Sequence, residues 1–258
     1  MPVKRALVTG ASRGLGRYLA GALATDGWAV TGLGLRPEGD LLSLPLDEGS
    51  ESEVTYLQAD LGDPATLVPL SAKLGEVPDL VVHCAVAYPP RTSGPPTPDQ
   101  LQDVFRVNAF APYLLTLGLL ERKPAEQFTA VVVVNSEAVF AADKDSAPYA
   151  ASKAAMRVLT TGLADVCKGT NAAVATLMLG PLSSPDKRAE LRRIAEKRNL
   201  SEEEITRMFL RRSNPNLVID TLIDYEACHR SVQYIAGLGP VGNGMVCRLD
   251  GGSAGSLI

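Results

Sequence analysis

A chain of 258 residues, 46% hydrophobic and 21% charged, is long enough and apolar enough to bury a substantial globular core rather than stay disordered. Its net charge of −4 argues against nucleic acid as a main partner, because phosphate-binding surfaces are strongly basic. No apolar run approaches the roughly 20 residues needed to cross a bilayer, and Met1-Pro2-Val3-Lys4 runs into an apolar segment without a signal-peptide layout, so a cytoplasmic protein with no membrane partner is expected.

Strand-length apolar runs alternate with helix-period segments along the chain, at residues 5–9, 29–33, 54–58, 80–84, 130–135, 173–179 and 245–249. They are nearly continuous in Val, Leu and Ala, as parallel strands buried on both faces are. Helix starts carry caps: Asp63-Pro64, then Thr97-Pro98-Asp99-Gln100 as a capping box, then Ser201-Glu202-Glu203-Glu204 as another, opening a helix to about Arg212. Strands alternating with helices predict one α/β domain, residues 1–258, built on a doubly wound parallel sheet. Two stretches depart from the alternation. Residues 37–52, rich in Gly, Pro, Ser and acid, predict a surface loop. Residues 182–216 insert about two charged helices before the last strand, near the strand ends where α/β sheets bind ligands, and predict a helical substrate lid. The four cysteines, Cys84, Cys167, Cys228 and Cys247, form no CxxC pair; with only His83 and His229 beside them, no metal site is expected.

Thr9-Gly10-Ala11-Ser12-Arg13-Gly14-Leu15-Gly16 follows the first strand and opens the first helix. Glycine is required where the chain turns sharply and where backbone must approach a pyrophosphate. The helix behind it offers free N–H groups and the positive end of its dipole to an anion. A strand–turn–helix with these glycines predicts a Rossmann-type dinucleotide site, with Gly10, Ser12, Arg13, Gly14, Leu15 and Gly16 against the cofactor.

The spacing Gly-x-x-x-Gly-x-Gly, with Tyr149-Ala150-Ala151-Ser152-Lys153 further on, resembles the single-domain branch of the short-chain dehydrogenase/reductase family. Asp60-Leu61 is similar to the segment whose aspartate holds the adenine amino group, and Val107-Asn108-Ala109 to the family's mid-helix asparagine motif. Residues 243–252 are similar to its last strand. The resemblance implies an oxidoreductase that moves a hydride between a nicotinamide and a carbonyl or alcohol carbon of a small molecule.

Tyr149 and Lys153, at i and i+4, share a helix face. A phenol with an ordinary pKa near 10 is a poor proton donor or acceptor at neutral pH, and a nearby ammonium is expected to lower it. Ser136, thirteen residues earlier at the end of a strand, can hydrogen-bond a substrate oxygen and stabilise charge growing on it. The resemblance completes a tetrad of Asn108, Ser136, Tyr149 and Lys153: Asn108 supports a water that relays protons, and Lys153 also holds the nicotinamide ribose. In reduction Ser136 and Tyr149 bind the carbonyl oxygen and Tyr149 gives the proton.

Departures from the family pattern are equally specific. His83-Cys84-Ala85-Val86 stands where the family has Asn-Asn-Ala-Gly; only Ala85, on the cofactor side, is kept, and His83 reads as a satisfied core or cofactor-side residue rather than a base. Gly180-Pro181-Leu182 keeps Pro181 for the nicotinamide but alters the turn after it. At the end of the second strand, where an NAD enzyme places an acid, the chain has Gly34 and no acid before Glu38. Arg36 and Arg13 can meet a 2′-phosphate there, so NADP(H) is the expected cofactor, NAD(H) the alternative, and an aspartate at Gly34 the expected way to reverse the choice. The basic stretch 186–198 reads as a solvated face, or as a contact for an acidic, carrier-bound substrate. The segment 224–238 and the last strand imply, through the resemblance, a homo-oligomer, tetramer or dimer. A ketoreductase using NADPH is the expected activity, with an NAD-linked secondary alcohol dehydrogenase and a non-catalytic dinucleotide sensor as the other readings.

Overall fold

The computed structural model describes residues 3–37, 54–90 and 95–254. Almost all of the expected surface loop at 37–52, with Glu38, and the terminal Leu257-Ile258 lie outside the described residues.

Seven parallel strands form one sheet in the order β3-β2-β1-β4-β5-β6-β7. They are β1 Arg5–Thr9, β2 Ala29–Gly34, β3 Val54–Gln58, β4 Leu80–His83, β5 Thr129–Ser136, β6 Ala172–Leu179 and β7 Val246–Leu249. Each lies within a residue of the expected strand at both ends; for the five inner strands the reason is that a strand covered on both faces must be apolar at nearly every position. All eight residues of β6 are buried.

Period-two alternation sends successive residues to opposite faces. Val8, Val82, Val132 and Ala175 join one core with Leu19 and Leu23 of α1 (Gly14–Thr25) and Val232 and Ile235 of α8 (Tyr225–Gly237). Leu7, Val81, Val131 and Val174 join the other, with Leu70 of α2 (Pro64–Lys73), Leu115 of α4 (Ala111–Arg122) and Met156 and Leu163 of α5 (Ala147–Cys167). Strand order reverses between β1 and β4, so the crevice at their carboxyl ends is the place where such a sheet receives a ligand.

Local signals set the helix starts. Asp63 Oδ1 accepts from Ala65 N at 3.0 Å, ahead of α2. Thr97 and Gln100 form the reciprocal capping box of α3 (Pro98–Phe105), and Ser201 and Glu204 that of α7 (Glu202–Ser213). Between α3 and α4 the helix widens into a π-helical turn, Arg106–Phe110, that the apolar pattern does not announce.

The inserted stretch forms α6 (Pro185–Arg198) and α7, joined by a small cluster of Leu191, Ala195 and Ile205 apart from the two sheet cores. Its base is closed by backbone: Ser183 N donates to Ile223 O at 2.7 Å and Ile223 N to Pro181 O at 2.9 Å. The altered turn after β6 is thereby anchored, and Gly180 is needed there because a Cβ would lie 2.9 Å from Asp250 O.

Candidate active site

A cleft of about 1840 Å³ runs along the carboxyl ends of the strands, walled by the glycine turn on one side and by α6 and α7 on the other. Gly10 (φ +75°) and Gly14 (φ +59°) take left-handed backbone that side chains avoid. A Cβ on Gly16 would stand 2.5 Å from Gly10 O, so the turn and α1 close on each other only without side chains. Helix α1 has no side-chain cap and no acid in its first turn, whereas α2, α3, α6, α7 and α8 all carry capping side chains. Its N–H groups and dipole therefore face the cleft without an internal partner, which suits a diphosphate. Ser12, Arg13 and Leu15 line the same wall.

Thr9 ties this turn to β4, its hydroxyl accepting from Cys84 N and Ala85 N, each at 3.1 Å. His83 is buried, and its Nε2 lies 2.9 Å from Thr116 Oγ1. Since that hydroxyl donates to Pro112 O at 2.7 Å, His83 donates through Nε2–H. Burial, and then the Lys153 charge, push its pKa down to about 3, so it stands neutral. Asp60 and Leu61 reach the cleft from the loop after β3, and Asp60 Oδ1 accepts from Gly62 N at 2.8 Å. Pro181 lines the opposite end.

The expected route to cofactor choice through Gly34 needs correction. A Cβ there would stand 2.4 Å from the Tyr56 hydroxyl and 2.9 Å from Ser12 Cβ. The Tyr56 hydroxyl is itself engaged, donating to Arg36 O at 2.8 Å. The space an acidic side chain would need is already filled, so Gly34→Asp would disturb the strand end before it altered charge. Around the same corner, Arg36 is exposed and Arg17 has a buried Nη1 without a hydrogen-bond partner among the described residues.

Ser136, Tyr149 and Lys153 converge on the cleft. Ser136 ends β5, and its hydroxyl hydrogen-bonds Tyr149. Tyr149 sits in the first turn of α5, one turn before Lys153, which is 5% exposed and donates from Nζ to Val134 O at 2.9 Å. The expected depression of Tyr149 by the lysine is not found. Burial and the neighbouring Tyr88 hold the phenol well above its ordinary value, and only Ser136 pulls it back. The ammonium lies 6.0 Å from the Tyr149 ring centroid and is committed to Val134; burial brings its own pKa down to about 8.

Asn108, 2% exposed within the π-helical turn, has all its amide capacity in use but one lone pair. Oδ1 accepts from Ala87 N at 2.7 Å, and Nδ2 donates to Ala87 O at 2.8 Å and to Ser152 Oγ at 2.9 Å. Ser152 Oγ in turn donates to Tyr149 O at 2.7 Å. The side chain is thus a clamp between the loop after β4 and α5.

Residues that sequence reasoning did not single out complete this site. Asn135 donates to Lys153 O at 3.1 Å, and Ser152 links Asn108 to Tyr149. Both lie inside motifs already read, so polarity at a buried strand or helix position was the available signal. On the far wall Lys187 is paired with Glu190 at 2.7 Å, and Leu191, Ile194 and Phe209 turn apolar groups to the cleft beside Arg198 and Arg212.

Residues 4–194 match the profile of a family described as short chain dehydrogenase. The chain belongs to that family. The short-chain dehydrogenase is 28% identical over 257 residues to YvaG, an oxidoreductase of Bacillus subtilis (strain 168), covering 98% of this chain and 97% of the relative. A 3-oxoacyl (acyl-carrier-protein) reductase from Agrobacterium tumefaciens C58, solved with NADP bound, shares its fold with a TM-score of 0.79 at 23% identity, covering 96% of this chain and 93% of that one. A 4-hydroxyisoleucine dehydrogenase complexed with NADH has the same TM-score of 0.79 at 18% identity, covering 98% and 99%. The protein is accordingly an oxidoreductase that interconverts CH–OH and C=O groups with a nicotinamide dinucleotide, on a Rossmann-type sheet. Among the described residues no helix is long and apolar enough to cross a membrane.

Proposed function

We propose that this short-chain dehydrogenase is a ketoreductase that reduces a small-molecule carbonyl to a secondary alcohol with NADPH. The observation that carries the reading is the meeting of the Ser136 and Tyr149 hydroxyls beside buried Lys153, at the end of a glycine cradle shaped for a dinucleotide. When bound, the reduced nicotinamide supplies the hydride. Gly10, Ser12, Gly14, Leu15 and Gly16 hold the diphosphate, Asp60 with Leu61 and Ala85 the adenosine side, and Pro181 the nicotinamide end. Lys153 holds the ribose. Ser136 donates to the carbonyl oxygen and stabilises the negative charge growing there. Tyr149 gives that oxygen its proton, a contribution that general acids typically make at about 10²–10⁴-fold.

Preference for the phosphorylated cofactor is supported by the absence of an acid beside Gly34 among the described residues and by three guanidinium groups, Arg13, Arg17 and Arg36, around that corner of the cleft. Helices α6 and α7 serve as the substrate lid, their apolar groups excluding water from the reacting carbonyl. A homo-oligomer is supported by exposed Tyr234 on α8 and Val246 on the edge strand β7. The deciding experiment is a panel of ketones, quinones and β-ketoacyl thioesters followed by NADPH consumption. Turnover of at least one carbonyl class is expected; none across the panel, with cofactor bound, would overturn the reading.

A further inference from the structure

The loop after β4 carries an aromatic residue that neither the glycine turn nor the tetrad accounts for. Tyr88 is 60% exposed, yet its ring does not simply face water: it stacks on Tyr149, with centroids 4.7 Å apart and planes 28° apart. Offset stacking of this kind fixes the relative plane of two rings. The two hydroxyls are hydrogen-bonded to each other. The backbone explains how the pair is held. Ala87, the residue before Tyr88, gives both its N–H and its C=O to the Asn108 amide, and that amide reaches Ser152, whose hydroxyl bonds the Tyr149 carbonyl. Both tyrosines therefore hang from one buried side chain.

We propose that Tyr88 is a positioning residue for the general acid, its ring setting the plane of Tyr149 and its hydroxyl keeping the Tyr149 proton in place until a carbonyl oxygen takes over that hydrogen bond. This rests on the reading of Tyr149 as the proton donor. One hydrogen bond is exchanged for another, and Tyr88 undergoes no covalent change. The groups facing the pair are Ser136 from β5, Lys153 from α5, Cys84 from the end of β4 and Arg13 from the glycine turn. Of these only Ser136 bonds the Tyr149 hydroxyl and opposes Tyr88, while Lys153 is turned to Val134 O. Removing the Tyr88 hydroxyl should leave the Tyr149 proton more loosely held.

The test compares Tyr88→Phe, which keeps the ring, with Tyr88→Leu, which does not, by kcat and KM against pH in both reaction directions and by cofactor Kd. Tyr88→Phe is expected to move the midpoint set by Tyr149 down by about one pH unit, a tenfold loosening of the proton, with cofactor Kd unchanged. Tyr88→Leu should add a fall in kcat of about tenfold or more through lost alignment, which Phe restores. An active wild type whose midpoint does not move in Tyr88→Phe overturns this proposal alone, as does a change confined to substrate KM. A wild type that turns over no carbonyl or alcohol overturns the assignment of Tyr149 and this proposal together.

Discussion

The amide of Asn108 donates to the hydroxyl of Ser152 across 2.9 Å, although 44 positions separate the two residues in the chain. The contact joins the π-helical turn to the helix that carries Tyr149 and Lys153, and the same amide fixes the loop after β4. Asn108→Ala should therefore cost stability as well as rate. Leaving the half-buried Ala87 N–H and C=O unpaired costs at most about 1–3 kcal/mol for each group that finds no new partner. Chemical denaturation should show the midpoint falling, and an Asn108→Ala protein as stable as wild type would contradict the clamp. Asn108→Asp, which keeps the acceptor but loses both donors, should also be destabilised.

Tyr149→Phe should abolish carbonyl reduction while cofactor still binds, because only the phenolic oxygen is removed from a ring that remains stacked on Tyr88. Energy transfer from protein fluorescence to the reduced nicotinamide reports binding independently of turnover. A loss of less than about tenfold would contradict the general-acid role, given the usual size of that contribution.

Cofactor choice is best tested at the exposed arginines, since a side chain at Gly34 would meet Ser12 and Tyr56. Arg36→Ala and Arg13→Ala should each weaken NADPH about tenfold or more and leave NADH nearly unchanged, the size expected for one charge-assisted hydrogen bond. Titration of both nucleotides decides it. Tighter binding of NADH than NADPH by the wild type would refute the preference.

His83 gives a pH dependence of definite sign. Its folded pKa, pushed to about 3, lies below the value of 6.5 it has when unfolded, so the unfolded chain binds the extra proton between those limits. Stability from this group is complete above pH 6.5 and is lost as pH falls toward 3, at about 1.4 kcal/mol per pH unit well inside the window. His83→Gln can still donate to Thr116 but does not titrate. The difference in unfolding free energy between the two proteins should shrink or reverse between pH 6.5 and 5, before the carboxylates dominate; parallel pH curves would show that His83 is not buried neutral.

Much of this architecture is legible in the chain because its determinants are local. Strands such as β6 are apolar at almost every position, and caps such as Thr97 with Gln100 act across three residues. The glycine turn is legible for the same reason: two left-handed glycines and a third against the Gly10 carbonyl are requirements of backbone. What depends on tertiary approach is not. Nothing in the order of residues shows Tyr88 lying on Tyr149, or Lys153 giving its proton to the Val134 carbonyl rather than its field to the phenol. The π-helical turn at Arg106–Phe110 is hidden because one extra residue per turn barely alters the apolar pattern.

The two backbone hydrogen bonds at Ile223 bring the start and end of the α6–α7 excursion side by side. An insertion whose ends already meet adds little loop-closure entropy to the sheet, however its length changes. It also packs about a small cluster of its own at Leu191, Ala195 and Ile205. On the lid role proposed above, substitutions there would reshape which carbonyl compounds are admitted while the strand ends that carry Ser136 and the glycine turn stay untouched. Substrate range and chemistry are thus free to diversify at different rates in descendants of this chain.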